Sequence, residues 1–340
     1  MRKNNTENQL HFSELEGKTI FITGATGLIG SNLIRSLVAQ SKCFSKPIRI
    51  IALVRDISKA QTVFKHDYNQ IECLVGDVTK PILLKDNVDY IVHAASQTSS
   101  RNFVDHPLNT IKVAVKGTIN ILELAKEKAV KKVVYLSTME VYGAPSTDEK
   151  ITEQFGTNLD TTSVRSCYPE SKRLCENLCV SYMKEFGIPV SIVRLTQTFG
   201  RGVMYKDSRV FAEFARCVIE KKDIVLHTKG ETKRSYLYTQ DAVNAILTVM
   251  INGEAGKAYN AANEMTYCSI YEMAQMVAKK CANGEISVKI EVDDESKFGF
   301  APVLKMNLDT SKLQSIGWKA EVGLEEMFRI LIDDMRTNCV

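Results

Sequence analysis

The chain has 340 residues, 44% hydrophobic and 25% charged, enough to bury a large core and to form two domains. Its 44 basic and 40 acidic residues are interspersed and leave a net charge of +4, which argues against a nucleic-acid-binding face and suits a cleft for anionic ligands. Nine cysteines without a paired Cys-x-x-Cys spacing predict reduced thiols rather than a disulfide framework or a zinc site, and Cys175 and Cys179 read as packing residues. No apolar run reaches about 18 residues. The polar first nine residues lead into no signal-like apolar core, so no membrane insertion is expected and the cytoplasm is the expected compartment.

The first patterned stretch, Thr19-Ile-Phe-Ile-Thr23, reads as a buried strand that breaks into Gly24, Gly27 and Gly30 and continues as a helix over 28–41. Gly24 permits a tight strand-to-helix turn, Gly27 lets a pyrophosphate approach the backbone, and Gly30 lets the helix pack close to the sheet. The N–H groups at the helix start would face the phosphates, which makes Thr26, Leu28 and Ile29 candidate cofactor contacts beside the glycines. Strands over 48–54, 71–75 and 90–93 follow, then a helix over 110–127 and a strand over 132–136. A helix over 168–186 and a strand over 190–195 extend the series. Such alternation, with nearly continuous apolar runs in the strands, predicts a parallel sheet covered by helices on both faces. Beyond Thr196 the pattern is less regular, with short helices over 210–220, 240–251, 269–280 and 323–335. The expected fold is α/β: a Rossmann doubly wound parallel sheet over 16–195 and a smaller C-terminal α/β substrate lobe over 196–340, partly interleaved.

Some 140 residues after the glycine turn the chain reads Tyr168-Pro-Glu-Ser-Lys172, preceded by Ser137-Thr138 at a strand end. Together with the turn, this order of motifs points to hydride chemistry with a nicotinamide cofactor. Tyr168 and Lys172 are four apart on a helix and so share a face, where the ammonium would favour the phenolate. That makes Tyr168 the candidate general base, with Thr138 able to bond the same substrate oxygen and Lys172 able to hold the nicotinamide ribose.

These residues resemble the extended short-chain dehydrogenase/reductases, and within them the nucleotide-sugar epimerases, dehydratases and decarboxylases. The resemblance covers roughly residues 16–335 and rests on the glycine turn, Gly76-Asp77-Val78, His93-Ala94-Ala95, the Ser137-to-Gly143 stretch and Tyr168-x-x-x-Lys172. A looser match runs from Arg194 to Gly200, from Gly230 to Arg234 with Asp241, and from Leu308 to Lys312 with Gly317-Trp318. It implies Asp77, Val78, Ala94 and Ala95 as further cofactor contacts, a nucleotide-diphosphate sugar as substrate, oxidation at sugar C4 and a homodimer. A role in polysaccharide biosynthesis goes with it. Arg234 is implied at the diphosphate, Arg209 at the diphosphate or the sugar, and Gln197 at the sugar.

Val54 stands where NAD-using relatives usually place an acid, and Arg55 follows it, so NADP is favoured over NAD; Asp56 is the competing reader of the ribose or a helix cap. In Thr138-Met139-Glu140, Glu140 keeps the base that dehydratases use beside the transient 4-ketone, while Met139 cannot donate a proton. Ala114, Gln197 and Arg201 also depart from the family pattern, standing in place of Asn, Asn and Pro. The sequence therefore places the dehydratase/epimerase class first. An NADPH-dependent 4-keto-sugar reductase, a glucuronate decarboxylase and a catalytically silent regulator stand behind it.

Overall fold

The computed structural model describes residues 12–292 and 303–338. Its strands are β1 (Thr19–Thr23), β2 (Arg49–Val54), β3 (Glu72–Val75), β4 (Tyr90–His93), β5 (Lys132–Thr138), β6 (Val190–Leu195), β7 (Gln197–Phe199), β8 (Ile224–Leu226), β9 (Lys233–Tyr238), β10 (Ala258–Ala261), β11 (Asn263–Ser269), β12 (Val288–Ile290) and β13 (Lys305–Met306). Its α-helices are α1 (Leu28–Ser41), α2 (Ile57–Phe64), α3 (Ser100–Asp105), α4 (Pro107–Lys128), α5 (Cys167–Phe186), α6 (Val210–Glu220), α7 (Thr239–Asn252), α8 (Ile270–Met276), α9 (Ser311–Gln314) and α10 (Leu324–Asn338).

Seven strands form a parallel sheet in the order β10-β6-β5-β4-β1-β2-β3. The chain moves outward from β1 to β3, then returns to lay β4 on the other side of β1. That reversal opens a crevice at the carboxyl ends of the central strands, where doubly wound sheets bind ligands. Tyr90–His93 is buried throughout and Arg49–Val54 all but its first residue, as strands covered on both faces must be. One face packs on α1 and α7 through Leu33, Leu37, Val243 and Ile246. The other packs on α4 and α5 through Ile121, Leu122, Cys175 and Cys179. Cys175 and Cys179 are free thiols inside this layer.

Downstream of residue 196, α7 and β10 return to the first sheet, β10 pairing with β6. The remaining strands build smaller units, with β9 flanked by antiparallel β11 and by parallel β7 and β13, and β8 paired with β12. Their core is shared with α6, α8 and α10 through Phe199, Phe211, Met273, Phe328 and Leu331. Asp241, read from sequence with the substrate-lobe pattern, is a structural tie instead: its carboxylate accepts from the backbone N–H groups of Glu321 and Val322, both at 3.1 Å. The Asp241 carbonyl takes the Trp318 indole N–H at 3.0 Å.

Three helices differ from their expected bounds by three residues or more, α10 running to Asn338 rather than 335. α4 starts at Pro107 rather than 110, because proline at the first turn has its φ preset and lacks only an N–H that would go unbonded there. α8 begins with a capping box between Ser269 and Glu272 but ends at Met276, giving way to a π-helical turn over Val277–Cys281.

Candidate active site

A cleft of ≈ 450 Å³ lies at the carboxyl ends of β1, β4 and β5. At its phosphate end, Gly24 has φ +66°, and a Cβ there would sit 2.6 Å from the Ala94 carbonyl carbon. A Cβ on Gly30 would approach the Gly24 carbonyl oxygen to 2.3 Å, so the helix can lie this close only without a side chain. Gly27 is less constrained, with its nearest contact at 3.2 Å; it is the N-cap of α1 and no side chain bonds the helix start. Thr26, Leu28 and Ile29 line the same wall, and Val78, Ala94 and Ala95 line the opposite one. This cradle, which a Cβ would fill, fits a dinucleotide with its phosphates on the helix N-terminus.

At the ribose end, Arg55 and Lys59 line the cleft. The Asp56 carboxylate caps α2, its Oδ1 accepting from the N–H groups of Ser58 at 2.8 Å and Lys59 at 3.1 Å. Asp77 holds the next turn by accepting from the Thr79 N–H at 2.8 Å and hydroxyl at 2.7 Å. Those two bonds and the charge of Arg55 keep its carboxyl below the usual range.

At the far end, Thr138, Tyr168, Lys172 and Glu140 meet. Thr138 terminates β5, and its hydroxyl accepts from the Glu140 N–H at 3.2 Å. Tyr168 enters on the first turn of α5 and stacks on Phe103 with centroids 4.4 Å apart. Lys172, one turn later, donates to the Leu136 carbonyl at 2.7 Å and lies over the Tyr135 ring. Burial lowers the Lys172 ammonium to about 8. The Tyr168 phenol is raised well above its ordinary value, by burial first and by the Glu140 carboxylate second, with the Thr138 hydroxyl opposing. This reverses the lowering expected from Lys172: desolvation of the phenolate outweighs nearby positive charge, and the Lys172 ammonium is turned to a backbone carbonyl.

Sequence reasoning missed Arg165. Its guanidinium pairs with the Glu140 carboxylate at 2.8 Å and lies over the Phe103 ring, so Arg165, Phe103 and Tyr168 form one stack. The available signal was its position three residues before Tyr168, on the turn that feeds α5. Met139 is buried, and the Thr196 hydroxyl lies 3.2 Å from its sulfur and 2.6 Å from the Ser235 carbonyl oxygen.

Gln197 and Arg209 also line the cleft. Arg209 is held by Asp207 through bonds of 2.6 and 3.0 Å. Arg234, expected at the diphosphate, stands on β9 next to the cleft-lining Gln197, with Nη1 3.5 Å from the Gln197 side-chain oxygen, and is not itself among the residues lining the cleft. Its buried Nε finds no partner among the described residues. Among those residues no group of His, Cys, Asp or Glu could hold a metal ion, and no helix is long and apolar enough to cross a membrane.

Comparison with known proteins agrees with this geometry. The model of the NAD dependent epimerase/dehydratase family matches residues 20–262. UDP-glucuronic acid decarboxylase 1 of Xenopus tropicalis is 30% identical over 315 residues, covering 92% of this chain and 71% of that protein. UDP-glucuronic acid decarboxylase 3 of Arabidopsis thaliana is 29% identical over 320 residues, covering 93% and 89%. In fold, the chain is similar to UDP-glucose 4-epimerase of Thermotoga maritima, with TM-score 0.81, 19% identity and coverage of 95% and 100%. It is also similar to dTDP-glucose 4,6-dehydratase of Streptomyces venezuelae, with TM-score 0.77, 21% identity and coverage of 94% and 97%. The chain therefore belongs to the NAD-dependent epimerase/dehydratase family, the extended short-chain dehydrogenase/reductases that remodel nucleotide sugars with a nicotinamide cofactor.

Proposed function

We propose that this enzyme decarboxylates a nucleoside-diphosphate hexuronate, with UDP-glucuronate as the first candidate, through transient oxidation at C4. The observation that carries the choice is the triplet Thr138-Met139-Glu140 with Arg165 paired to its glutamate. Elimination of water needs a proton donor beside the leaving hydroxyl, and the buried thioether of Met139 has none to give. Loss of carbon dioxide needs no such donor, and the names of the relatives point the same way.

A nicotinamide cofactor, when bound, takes a hydride from C4 and later returns it. The residues that would hold it are the glycine turn, Arg55, Asp77, Val78, Ala94, Ala95, Tyr168 and Lys172. Tyr168 removes the C4 hydroxyl proton while Thr138 bonds the same oxygen; burial opposes the phenolate this needs, and the positive charge of an oxidised nicotinamide, when bound, would favour it. The resulting C4 ketone lies β to the C6 carboxylate, so the C5–C6 bond breaks, carbon dioxide leaves and the electron pair flows onto the C4 oxygen. Tyr168 and Thr138 stabilise that oxygen, and the C5 carbon then takes a proton. Glu140, held by Arg165, faces the same end of the cleft as the group that manages this proton.

Asp56 is committed to capping α2 while Arg55 lines the cleft, which supports NADP over NAD. Gln197 and Arg209 are assigned to the sugar and diphosphate, with Arg209 exchanging Asp207 for phosphate. The first sheet with α1 to α5 is assigned to the cofactor, and the units built around β9 and β8 to the nucleotide sugar. Exposed Leu108 and Ile111 on α4 and Leu174 on α5 give these neighbouring helices an apolar outer face, which supports a homodimer.

The test is mass spectrometry of purified enzyme incubated with UDP-glucuronate and with UDP-, dTDP-, GDP- and CDP-hexoses, each with NADP or NAD. Loss of carbon dioxide from UDP-glucuronate, with the cofactor unchanged at the end, is the expected result. Loss of water from a neutral hexose would make it a dehydratase with Glu140 as the base. Stoichiometric consumption of NADPH would make it a reductase.

A further inference from the structure

A buried ion pair lies directly behind the reacting groups and takes no part in the steps above. Glu176 on α5 and Arg194 on β6 pair at 2.6 and 3.0 Å, with side chains only 11% and 14% exposed. The register of β5 on β6 sets Ser137 opposite Arg194, so both point to the face that α5 covers, and Glu176 falls there one turn beyond Lys172. The Ser137 hydroxyl donates to the Glu176 carboxylate at 2.5 Å. Ser137 stands between Leu136, whose carbonyl accepts from Lys172, and Thr138. On its other side, Arg194 donates to the Tyr142 hydroxyl at 2.8 Å and the Glu153 carbonyl at 2.9 Å. Tyr142 closes the short 3₁₀ turn that carries Glu140.

We propose that Glu176, oriented by Arg194, is a positioning residue that fixes α5, with Tyr168 and Lys172, against the 136–142 segment, with Thr138 and Glu140; this rests on the catalytic reading of those four residues. Burying two charges costs so much solvation that such a pair adds little stability unless every bonding site is filled. Here both carboxylate oxygens are occupied and the guanidinium reaches three partners, so what the pair supplies is a single allowed spacing. Reacting groups displaced by an ångström lose rate steeply, so the spacing is worth fixing.

The same carboxylate acts on Lys172. The groups that face Lys172 are His93 on β4, Tyr135 on β5, Cys175, Glu176 and Cys179 on α5, and Arg194 beyond Glu176. Burial keeps His93 neutral by lowering it to about 3, and keeps Tyr135 and Cys179 neutral by raising them. Burial lowers Lys172 most, and Cys175 and then Glu176 raise it against that, which leaves the ammonium at about 8. Removing the charge leaves burial less opposed, so Lys172 releases its proton at lower pH.

The test is Glu176→Gln, which keeps the shape and the acceptor for Ser137 and removes the charge. The expected result is kcat reduced by about tenfold or more with the nucleotide-sugar KM unchanged. The alkaline limb of the kcat–pH profile should also move to lower pH. Should the variant fail to fold, Ser137→Ala decides: kcat lowered several-fold with KM and pH profile unchanged supports the inference, and wild-type kcat overturns it. Wild-type kcat and pH profile in Glu176→Gln overturn it equally. Tyr168→Phe, assayed in parallel, keeps the two readings apart, since its full activity would sink the catalytic reading itself.

Discussion

At the glycine turn the cleft is shaped by backbone, whereas at the sugar end it is shaped by side chains that arrive from distant segments. The first end needs only that Gly24 and Gly30 lack a Cβ, which would otherwise stand 2.6 and 2.3 Å from backbone atoms. The second takes Thr138 and Glu140 from the end of β5, Arg165 and Tyr168 from the entry to α5, Gln197 from β7 and Arg209 from the entry to α6. A backbone cradle suits what all members of the family share, a dinucleotide phosphate, because N–H groups at a helix start need no particular side chain. The side-chain end is where a reaction is chosen, because a change such as Met139 alters the available proton donors without moving the fold.

The comparison is broken most severely at Tyr168. Tyr168→Phe removes one oxygen from the side-chain end and nothing from the cradle, so kcat should fall by about 10² to 10⁴ while cofactor affinity stays near wild type. Steady-state turnover together with calorimetric cofactor titration checks both halves of that statement. Retention of more than about a tenth of the rate would remove Tyr168 as the general base.

Gly30→Ala makes the opposite cut. Its Cβ would meet the Gly24 carbonyl oxygen, a backbone atom that cannot rotate away, so the turn must move. Overpacking of this kind costs about 1–3 kcal/mol. The expected outcome is a lower Tm and weakened binding of NADP and NAD alike, with Gly27→Ala milder on Tm because its nearest protein contact is 3.2 Å. Equal loss of Tm in the two alanine variants would mean that close packing is not what the third glycine provides.

The same contrast explains what could be read from the sequence. Thr19–Thr23, Tyr90–His93 and Val190–Leu195 were legible to the residue, because strands sandwiched between helices leave continuous apolar runs. The glycine turn and the Tyr168–Lys172 spacing are local devices and leave local marks. The start of α4 was not legible: its first turn exposes Leu108 and shows no amphipathic period. β10 has only four residues, and its partner β6 lies more than sixty positions earlier. The Arg165–Glu140 pair, the contact of Arg234 with Gln197 and the ties from Asp241 to Glu321 and Val322 all depend on tertiary placement. Apart from the place of Arg165 three residues before Tyr168, nothing in the spacing of those residues announces them.

Arg55 is the smallest of the expected effects and the sharpest on the cradle side, because it asks whether one side chain adds selectivity to a site otherwise made of backbone. Arg55 lines the cleft at the end of β2, and the neighbouring carboxylate of Asp56 is held by two backbone N–H groups of α2. A guanidinium there gains a charge-assisted bond only from a cofactor that carries a 2′-phosphate, and at so exposed a position such a bond contributes roughly 0.5–1.5 kcal/mol. Arg55→Ala should therefore weaken NADP by about two- to tenfold and leave NAD near wild type, as read by titration calorimetry of both cofactors. Rising salt should erode NADP binding in the wild type more than in the variant, since the exposed contact is screened. Equal losses for the two cofactors, or a wild-type preference for NAD, would assign the ribose to the backbone after β2 and leave Arg55 as a surface charge.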